Sequence, residues 1–232
     1  MSFRDDPRIA RGMAAQLARF HALLAAGHPR VGWKVGFNAP AVQRALGLDG
    51  IVVGHLTLAT ALEPGRPHAL AGGTDVRVEP EIAIHLGAAV PPGAPPDAIR
   101  AAIIGLGPAL EVLDLDRPLD DLESLLAANV LHRAVLFGAT DPRRAGGGIA
   151  DLDARFVRNG VEVARTSAVA ALGDVAAIVG AVADRLAPFG EGLRAGDRII
   201  SGALVAPVAV APGDRIAVDL GPLGTLGLAF SA

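Results

Sequence analysis

The sequence predicts an α+β fold in which a rolled or sandwiched mixed β-sheet is flanked by four or five helices. Apolar and polar residues alternate along 76–86 and again along 215–230, a pattern typical of half-buried strands. Between Ile9 and Leu24, apolar residues instead recur every three or four positions, a pattern typical of one helix face. The two periodicities in one chain therefore predict strands and helices that share a core.

The predicted elements follow one another along the whole chain. Asp5 or Asp6 is expected to cap the first helix, with Pro7 in its first turn. Further helices are predicted at 40–46, 97–105, 119–128 and 174–188. Strands are predicted at 31–37, 76–86, 108–113, 130–137, 154–158, 161–164, 198–200, 205–210, 215–220 and 225–230.

No stretch has the length and composition of an interdomain linker. We therefore expect a single domain over 1–232, in which an N-terminal helical and α/β portion, 1–70, packs on a β-roll core, 71–232.

Composition excludes several classes of function. The chain has 232 residues, a net charge of −3 and no cysteine, so it lacks a basic surface for nucleic acid and any disulfide or thiolate metal site. The polar N-terminus has the features of neither a signal peptide nor a transit peptide. The longest apolar stretch, 168–187, is interrupted by charged residues and predicts a buried helix rather than a membrane span. We expect a cytoplasmic protein.

A candidate metal site lies on the strand 76–86. Glu79 and Glu81 point to one face of it, about 6.5–7 Å apart, and such carboxylates repel unless a cation or a proton lies between them. Glu111 stands in a second apolar strand and, if buried, needs a partner. Three carboxylates on neighbouring strands would bind Mg2+ or Mn2+ rather than Zn2+. The alternative is that the pair belongs to a solvated sheet face, although Pro80 indicates an edge or an irregularity.

Lys34 is the candidate catalytic residue. The chain has 21 basic residues, and all of them except Lys34 are arginine. Arginine stays protonated, whereas a desolvated lysine can lose its proton, so a task that needs a titrating amine cannot pass to arginine. The alternative is that this single lysine has remained by chance and has no function.

Five segments, taken in order, resemble a known family: 32–37 (GWKVGF), 78–82 (VEPEI), 109–114 (ALEVLD), 193–204 (LRAGDRIISGAL) and 212–230 (PGDRIAVDLGPLGTLGLAF). This is the 2-keto-4-pentenoate hydratase and 4-oxalocrotonate decarboxylase family of the fumarylacetoacetate hydrolase superfamily. The resemblance implies the mixed β-roll of the C-terminal fumarylacetoacetate hydrolase type, often in homo-oligomers. It also implies Mg2+ or Mn2+ on Glu79, Glu81 and Glu111, with Lys34 in the active site.

The sequence departs from the family pattern near the predicted strand 130–137. Ala128 stands where an aspartate is usual, and His132 and Arg133 replace small residues. If Arg133 faces the site, it could pair with a second carboxylate of the substrate, although a surface position is the alternative. Strand alternation allows only one of these two neighbours to face the site. Ser201, where threonine is usual, is the other predicted substrate-binding residue.

We expect a metal-dependent lyase that hydrates or decarboxylates a small 2-oxo acid or its 2-hydroxydienoate enol, with Lys34 shuttling the proton. A Schiff base at Lys34 is a competing use of its amine. A second activity to consider is C–C hydrolysis of an acylpyruvate, which needs a His–Glu pair in the N-terminal portion, yet the first 62 residues contain no glutamate. A catalytically silent structural partner is the third possibility.

The expected partners are a small-molecule substrate and further copies of the chain, without nucleic acid or membrane.

Overall fold

The computed structural model describes residues 5–232 and contains two curled β-sheets with helices packed against them. Within the described residues there are six α-helices: α1 Pro7–Ala25, α2 Pro40–Leu46, α3 Pro96–Ala102, α4 Leu122–Ala127, α5 Ala168–Leu172 and α6 Val175–Leu186. The strands are β1 Arg30–Gly36, β2 Val52–Thr57, β3 His68–Ala69, β4 Val76–Leu86, β5 Ile103–Asp114, β6 His132–Phe137, β7 Asp153–Arg158, β8 Val161–Ser167, β9 Arg198–Ile200, β10 Val208–Ala209, β11 Arg215–Asp219 and β12 Thr225–Ser231.

The larger sheet has the strand order β2-β1-β9-β4-β5-β6, and β10 pairs with one end of β4. Its pairs are antiparallel except for β1 with β9. The sheet curls until its two edges meet: Ala61, just after β2, forms a bridge with Val135 in β6, and the Leu62 N–H donates to the Val135 carbonyl at 2.8 Å. The curl creates a concave interior face, on which the candidate site lies.

The smaller sheet, β3-β12-β11-β7-β8, contains the hairpin predicted at Asn159-Gly160. Its apolar face joins the main hydrophobic core, to which Phe156, Val218 and Phe230 contribute. A second, small cluster lies inside the curl and consists of Leu56, Ala83, Ala109, Val135 and Ile200.

Helix α1 has the predicted N-cap, because the Asp6 carboxylate accepts a hydrogen bond from the Arg8 backbone N–H at 2.9 Å. The buried stripe Ile9, Met13, Leu17 and Phe20 packs on the convex face of the large sheet. No helix in residues 5–232 combines the length and the hydropathy needed to cross a membrane.

The differences from the predicted elements include two boundaries and one additional helix, each with a local reason. The helix predicted at 97–105 ends at Ala102, because Ile103 already pairs with Leu86 in the sheet. The strand predicted from Val130 starts at His132, because the residues before it adopt positive φ angles. Helix α5 is an additional helix, which Ser167 caps and which ends at Gly173 (φ 69°) before α6 begins.

The His55 side chain packs on the convex face of β2, stacked on Phe20 with the ring centroids 4.9 Å apart. Burial, more than the neighbouring positive charges, lowers the pKa of His55 to about 3. The unfolded chain therefore takes up a proton near pH 6.5 that the folded chain takes up only near pH 3. We expect the free energy of unfolding to fall as the pH drops through this window. In His55→Phe, the decrease in the free energy of unfolding between pH 6.5 and 5 should be smaller by about 2 kcal/mol.

Urea unfolding of both proteins at pH 7, 6 and 5 measures the effect. His28→Phe, at an exposed position, is the matched control. Parallel pH profiles for wild type and His55→Phe would contradict the prediction.

Candidate metal and substrate site

Sheet register brings the three predicted carboxylates together. Glu79 in β4 lies directly opposite Glu111 in β5, so both side chains share a face, and Glu81 follows two residues later on that face. Each of the three offers an oxygen within 4.8 Å of the others. Glu81 and Glu111 are fully buried, whereas Glu79 is partly exposed to a cavity. Glu79 and Glu81 therefore do not lie on a solvated face of the sheet.

Pro80 marks an irregularity in the middle of the sheet. On one side of β4, residues 83–85 pair with β9 and residues 77–78 pair with β10, which leaves a gap at Pro80. The loop 201–207 fills this gap, with the Leu204 N–H donating to the Pro80 carbonyl at 2.9 Å. In the same loop, the Gly202 N–H donates to Glu81 Oε2 at 2.8 Å. The irregularity thus lets a loop backbone reach a buried carboxylate.

Lys34 reaches the carboxylates from β1. It lies opposite Ile200, which in turn lies opposite Ala83, so register places Lys34 on the interior face. Its ammonium lies 2.6 Å from Glu111 Oε1 and donates to the Val130 carbonyl at 3.0 Å. Strands β1 and β5 are three positions apart in the sheet, about 14 Å if it were flat. The curl is what brings the lysine to the glutamate.

His132 is the residue whose part in the site the sequence did not reveal. Its Nδ1 lies 2.7 Å from Glu111 Oε1, and its Nε2 lies 3.0 Å from Thr60 Oγ1. Burial lowers the pKa of His132 in spite of the opposing effect of Glu111, so the ring is neutral at pH 7 and Nδ1–H donates to the carboxylate. The signals in the sequence were a histidine in an apolar strand, at a position where the family has small residues, and the strand alternation that lets one of His132 and Arg133 face the site.

The segment before His132 is strained. Asn129, Val130 and Leu131 have φ angles of 58°, 54° and 64°, and this left-handed region costs a non-glycine residue roughly 1–2 kcal/mol. The Asn129 side chain holds the segment to β2, accepting from the His55 N–H at 2.7 Å and donating to its carbonyl at 2.9 Å. This conformation points the Val130 carbonyl at the Lys34 ammonium.

The electrostatics of the cluster are asymmetric. Burial raises the pKa of Glu79 to about 8, and the charge of Glu111 adds to this effect. Burial and the two neighbouring carboxylates raise the pKa of Glu81 well above its usual range. Burial also acts to raise the pKa of Glu111, but the charge of Lys34 and the hydrogen bonds from Lys34 and His132 outweigh it, and the pKa is lowered. Glu111 is thus the ionised member of the cluster.

The donor set fits a hard divalent cation. Glu81 Oε1 and Glu111 Oε2 are buried and have no hydrogen-bond partner, a costly arrangement for carboxylate oxygens. A cation among the three glutamates would satisfy both atoms and replace the protons that Glu79 and Glu81 otherwise retain. Oxygen-only ligands favour Mg2+, Ca2+ or Mn2+.

A cavity of about 490 Å³ opens beside the cluster, and both Lys34 and Glu79 line it. The rest of its wall is almost entirely apolar and comes from β1, α2, the end of β5, the 129–131 segment and the loop 201–207. This arrangement can hold a small molecule with one end at the carboxylates and the rest against apolar side chains.

The structure places Arg133 and Ser201 away from this cavity. Arg133 points to the opposite side from His132, where it donates to the Ala71 carbonyl at 2.7 Å and lies 3.5 Å from Asp114. Ser201 is buried, with its Oγ accepting from the Ile82 N–H and donating to the Gly202 carbonyl, both at 3.0 Å. Neither residue lines the cavity.

Gly54 makes room for Lys34. It lies opposite Lys34 in the β1–β2 pair, and a Cβ at this position would lie 2.8 Å from both Lys34 Cγ and Asn129 Oδ1. We expect Gly54→Ala to displace the lysine and lower catalytic turnover roughly 10- to 100-fold. The matched control is Gly148→Ala, where a Cβ meets no atom within 4 Å. Equal activity of the two variants, in an assay described below, would contradict the prediction.

The fold and the site define a class: an α+β roll with a buried cluster of three glutamates and a lysine beside an apolar cavity. The chain belongs to the fumarylacetoacetate (FAA) hydrolase C-terminal family, whose sequence pattern matches residues 52–230. It is 33% identical over 208 residues to a 4-oxalocrotonate decarboxylase of Pseudomonas sp, covering 86% of this chain and 78% of the relative. It is 30% identical over 217 residues to a 2-keto-4-pentenoate hydratase of Burkholderia vietnamiensis, covering 88% and 79%.

A solved structure extends the likeness to the fold. The 4-oxalocrotonate decarboxylase from Pseudomonas putida G7, complexed with magnesium and adipate, superposes with a TM-score of 0.89 at 26% identity, covering 98% of this chain and 88% of the other. The resemblance predicted from the five sequence segments is confirmed, and so is the α+β fold.

Proposed function

We propose that this protein is a Mg2+- or Mn2+-dependent lyase that acts on a small 2-oxo acid or its 2-hydroxydienoate enol. The observation that carries the proposal is the buried Glu79–Glu81–Glu111 cluster, with its two unpartnered oxygens, in contact with Lys34 at the end of the cavity. The names of the relatives, hydratases and decarboxylases, agree with this chemistry, and one similar structure holds magnesium.

The three glutamates would hold the cation, which when bound polarises the substrate's carboxylate and 2-oxygen and stabilises the enolate. Lys34 lines the cavity and would move the proton between the enol oxygen and the carbon chain. Glu111, held by His132, orients the ammonium through the 2.6 Å contact.

In hydration of a 2-hydroxydienoate, the proton leaves the enol oxygen and is delivered to C5, which gives a 2-oxo-3-enoate. Water then adds to the remaining double bond, with its hydroxyl on C4 and its proton on C3. For an enedioate substrate, the bond from C5 to the terminal carboxylate breaks and CO2 leaves. The electron pair of that bond passes through the conjugated chain to the 2-oxygen, which gives the same dienolate, and a proton then neutralises it.

Acylpyruvate hydrolysis has less support. It needs a His–Glu pair that can activate water in the cavity. In the described chain, His21 contacts Glu191 at 2.8 Å and His132 contacts Glu111, but neither histidine lines the cavity.

The test is a spectrophotometric assay of metal-free protein with Mg2+ or Mn2+ added back. The substrates are 2-hydroxypenta-2,4-dienoate, 2-oxohex-3-enedioate and an acylpyruvate, with Lys34→Ala as the control. Metal- and Lys34-dependent loss of either of the first two supports the proposal. Turnover of the acylpyruvate alone would move the protein to the hydrolases, and inactivity toward all three would refute lyase chemistry on these acids.

A further inference from the structure

We propose that the substrate carries an uncharged, apolar tail, longer than that of a five-carbon oxo acid, and no second carboxylate. This inference rests on the proposed function and specifies which 2-oxo acids that site takes. It is carried by the composition and size of the cavity that leads away from the glutamate cluster.

Among residues 5–232, the cavity offers no free cationic partner for a second negative charge. Its charged lining residues are Lys34 and Glu79, both at the cluster end. Lys34 is committed to Glu111 Oε1 and the Val130 carbonyl, and Glu79 would be a ligand of the cation. Arg133, the residue whose sequence position suggested a second carboxylate site, is held outside by Ala71 and Asp114.

The side chains at the tail end of the cavity are apolar, and the Asn38 amide, a polar group that also lines the cavity, donates to the Ala203 carbonyl at 3.0 Å. Phe37 and Val42 contribute from the region after β1, Leu115 and Leu119 from the region after β5, and Val205 and Pro207 from the loop opposite. A carboxylate placed among these side chains would lose its hydration without gaining a hydrogen bond or a cation, which is strongly unfavourable. An alkyl or aryl group would instead gain the free energy of apolar burial.

The size of the cavity also favours a longer tail. A volume of about 490 Å³ lies in the range of pockets that take drug-sized ligands, and a five-carbon acid held at the glutamates would leave the apolar end unfilled. The specificity therefore differs from that of an enzyme built for a short dicarboxylic enol.

The test compares two unreactive acids on metal-loaded protein by titration calorimetry: 2-oxoheptanoate, with an alkyl tail, and 2-oxoadipate, of similar length but with a terminal carboxylate. We expect 2-oxoheptanoate to bind at least tenfold more tightly. In parallel, kcat/KM is measured for 2-hydroxy-2,4-dienoates with hydrogen, propyl or phenyl at C5 and for 2-oxohex-3-enedioate. We expect the substituted dienoates to be the best substrates.

Leu119→Arg supplies the missing cation. Leu119 lines the cavity and is 52% exposed, so the variant is expected to fold. It should bring the two affinities within about threefold of each other, by tightening 2-oxoadipate and weakening 2-oxoheptanoate. Val163→Arg, at a site 44% exposed outside the cavity, is the matched control and should retain the wild-type preference.

Equal or tighter binding of 2-oxoadipate by the wild-type protein would overturn the inference, and so would absence of binding by both acids. If the apolar preference is found but no dienoate or enedioate is turned over, the proposed lyase activity fails while the tail specificity stands. The two failures are therefore distinguishable.

Discussion

Glu111→Gln is expected to abolish both divalent-metal binding and turnover. Glu111 Oε1 accepts from Lys34 and from His132, and Oε2 faces the cluster without a partner. The glutamine amide carries no negative charge to bind the cation. In one orientation its NH2 group faces the Lys34 and His132 donors, and in the other orientation it faces the cation. We expect the Kd for Mn2+ to rise at least about 100-fold and kcat to fall at least about 1000-fold.

Calorimetric titration of the metal-free protein with Mn2+, followed by the dienoate assay, measures both effects. The matched control is Glu123→Gln, on α4, where the glutamate is partly exposed and pairs with Arg11. Tight stoichiometric Mn2+ binding by Glu111→Gln would exclude Glu111 from the metal site.

Lys34→Arg is expected to lower kcat by about 10²- to 10⁴-fold while the Kd for Mn2+ changes less than about tenfold. The arginine keeps a positive charge opposite Glu111 but does not release a proton at accessible pH. The measurement is kcat for the dienoate together with the Mn2+ titration. Substantial residual turnover, above about a tenth of the wild-type kcat, would eliminate the proton-shuttle role.

Lys34→Met tests the contact between Lys34 and Glu111 through the stability of the protein, because the substitution removes the positive charge of residue 34. In the metal-free protein it leaves Glu111 buried with His132 as its remaining donor, so the carboxylate must either stay charged without its cation or take up a proton. We expect a loss of about 3–5 kcal/mol in the free energy of unfolding. Saturating Mn2+ should recover part of that loss because it supplies positive charge to the same carboxylate. A variant as stable as wild type without metal would mean that the pair contributes no net stability.

The fold and the placement of the glutamates could be predicted because both depend on short-range patterns. Strand periodicity alone puts Glu79 and Glu81 on one face, and the cap at Asp6 follows from local preference. The antiparallel neighbour that brings Glu111 opposite Glu79 is the commonest kind of strand pair.

The rest depends on long-range closure, which no local pattern encodes. The contact between Lys34 and Glu111 requires the sheet to curl, and the role of His132 requires β6 to lie beside β5 in one particular register. The left-handed turn at Asn129–Leu131 could not be predicted either, because valine and leucine disfavour positive φ and the turn is stabilised by contacts with distant parts of the chain, among them those of Asn129 and Val130. Arg133 was proposed as a substrate ligand from residue type alone, and strand alternation placed His132 inside instead.

The meeting of the sheet's two edges at Ala61 and Val135 joins two groups of site residues that come from different parts of the sheet. All three glutamates come from residues 76–114, a single antiparallel pair whose register does not depend on the edges. Lys34, Thr60 and His132, by contrast, come from the edge half of the sheet or from its closing segments. Substitutions along the closing seam can therefore change which groups contact Glu111 while the strand register that places the three glutamates stays the same.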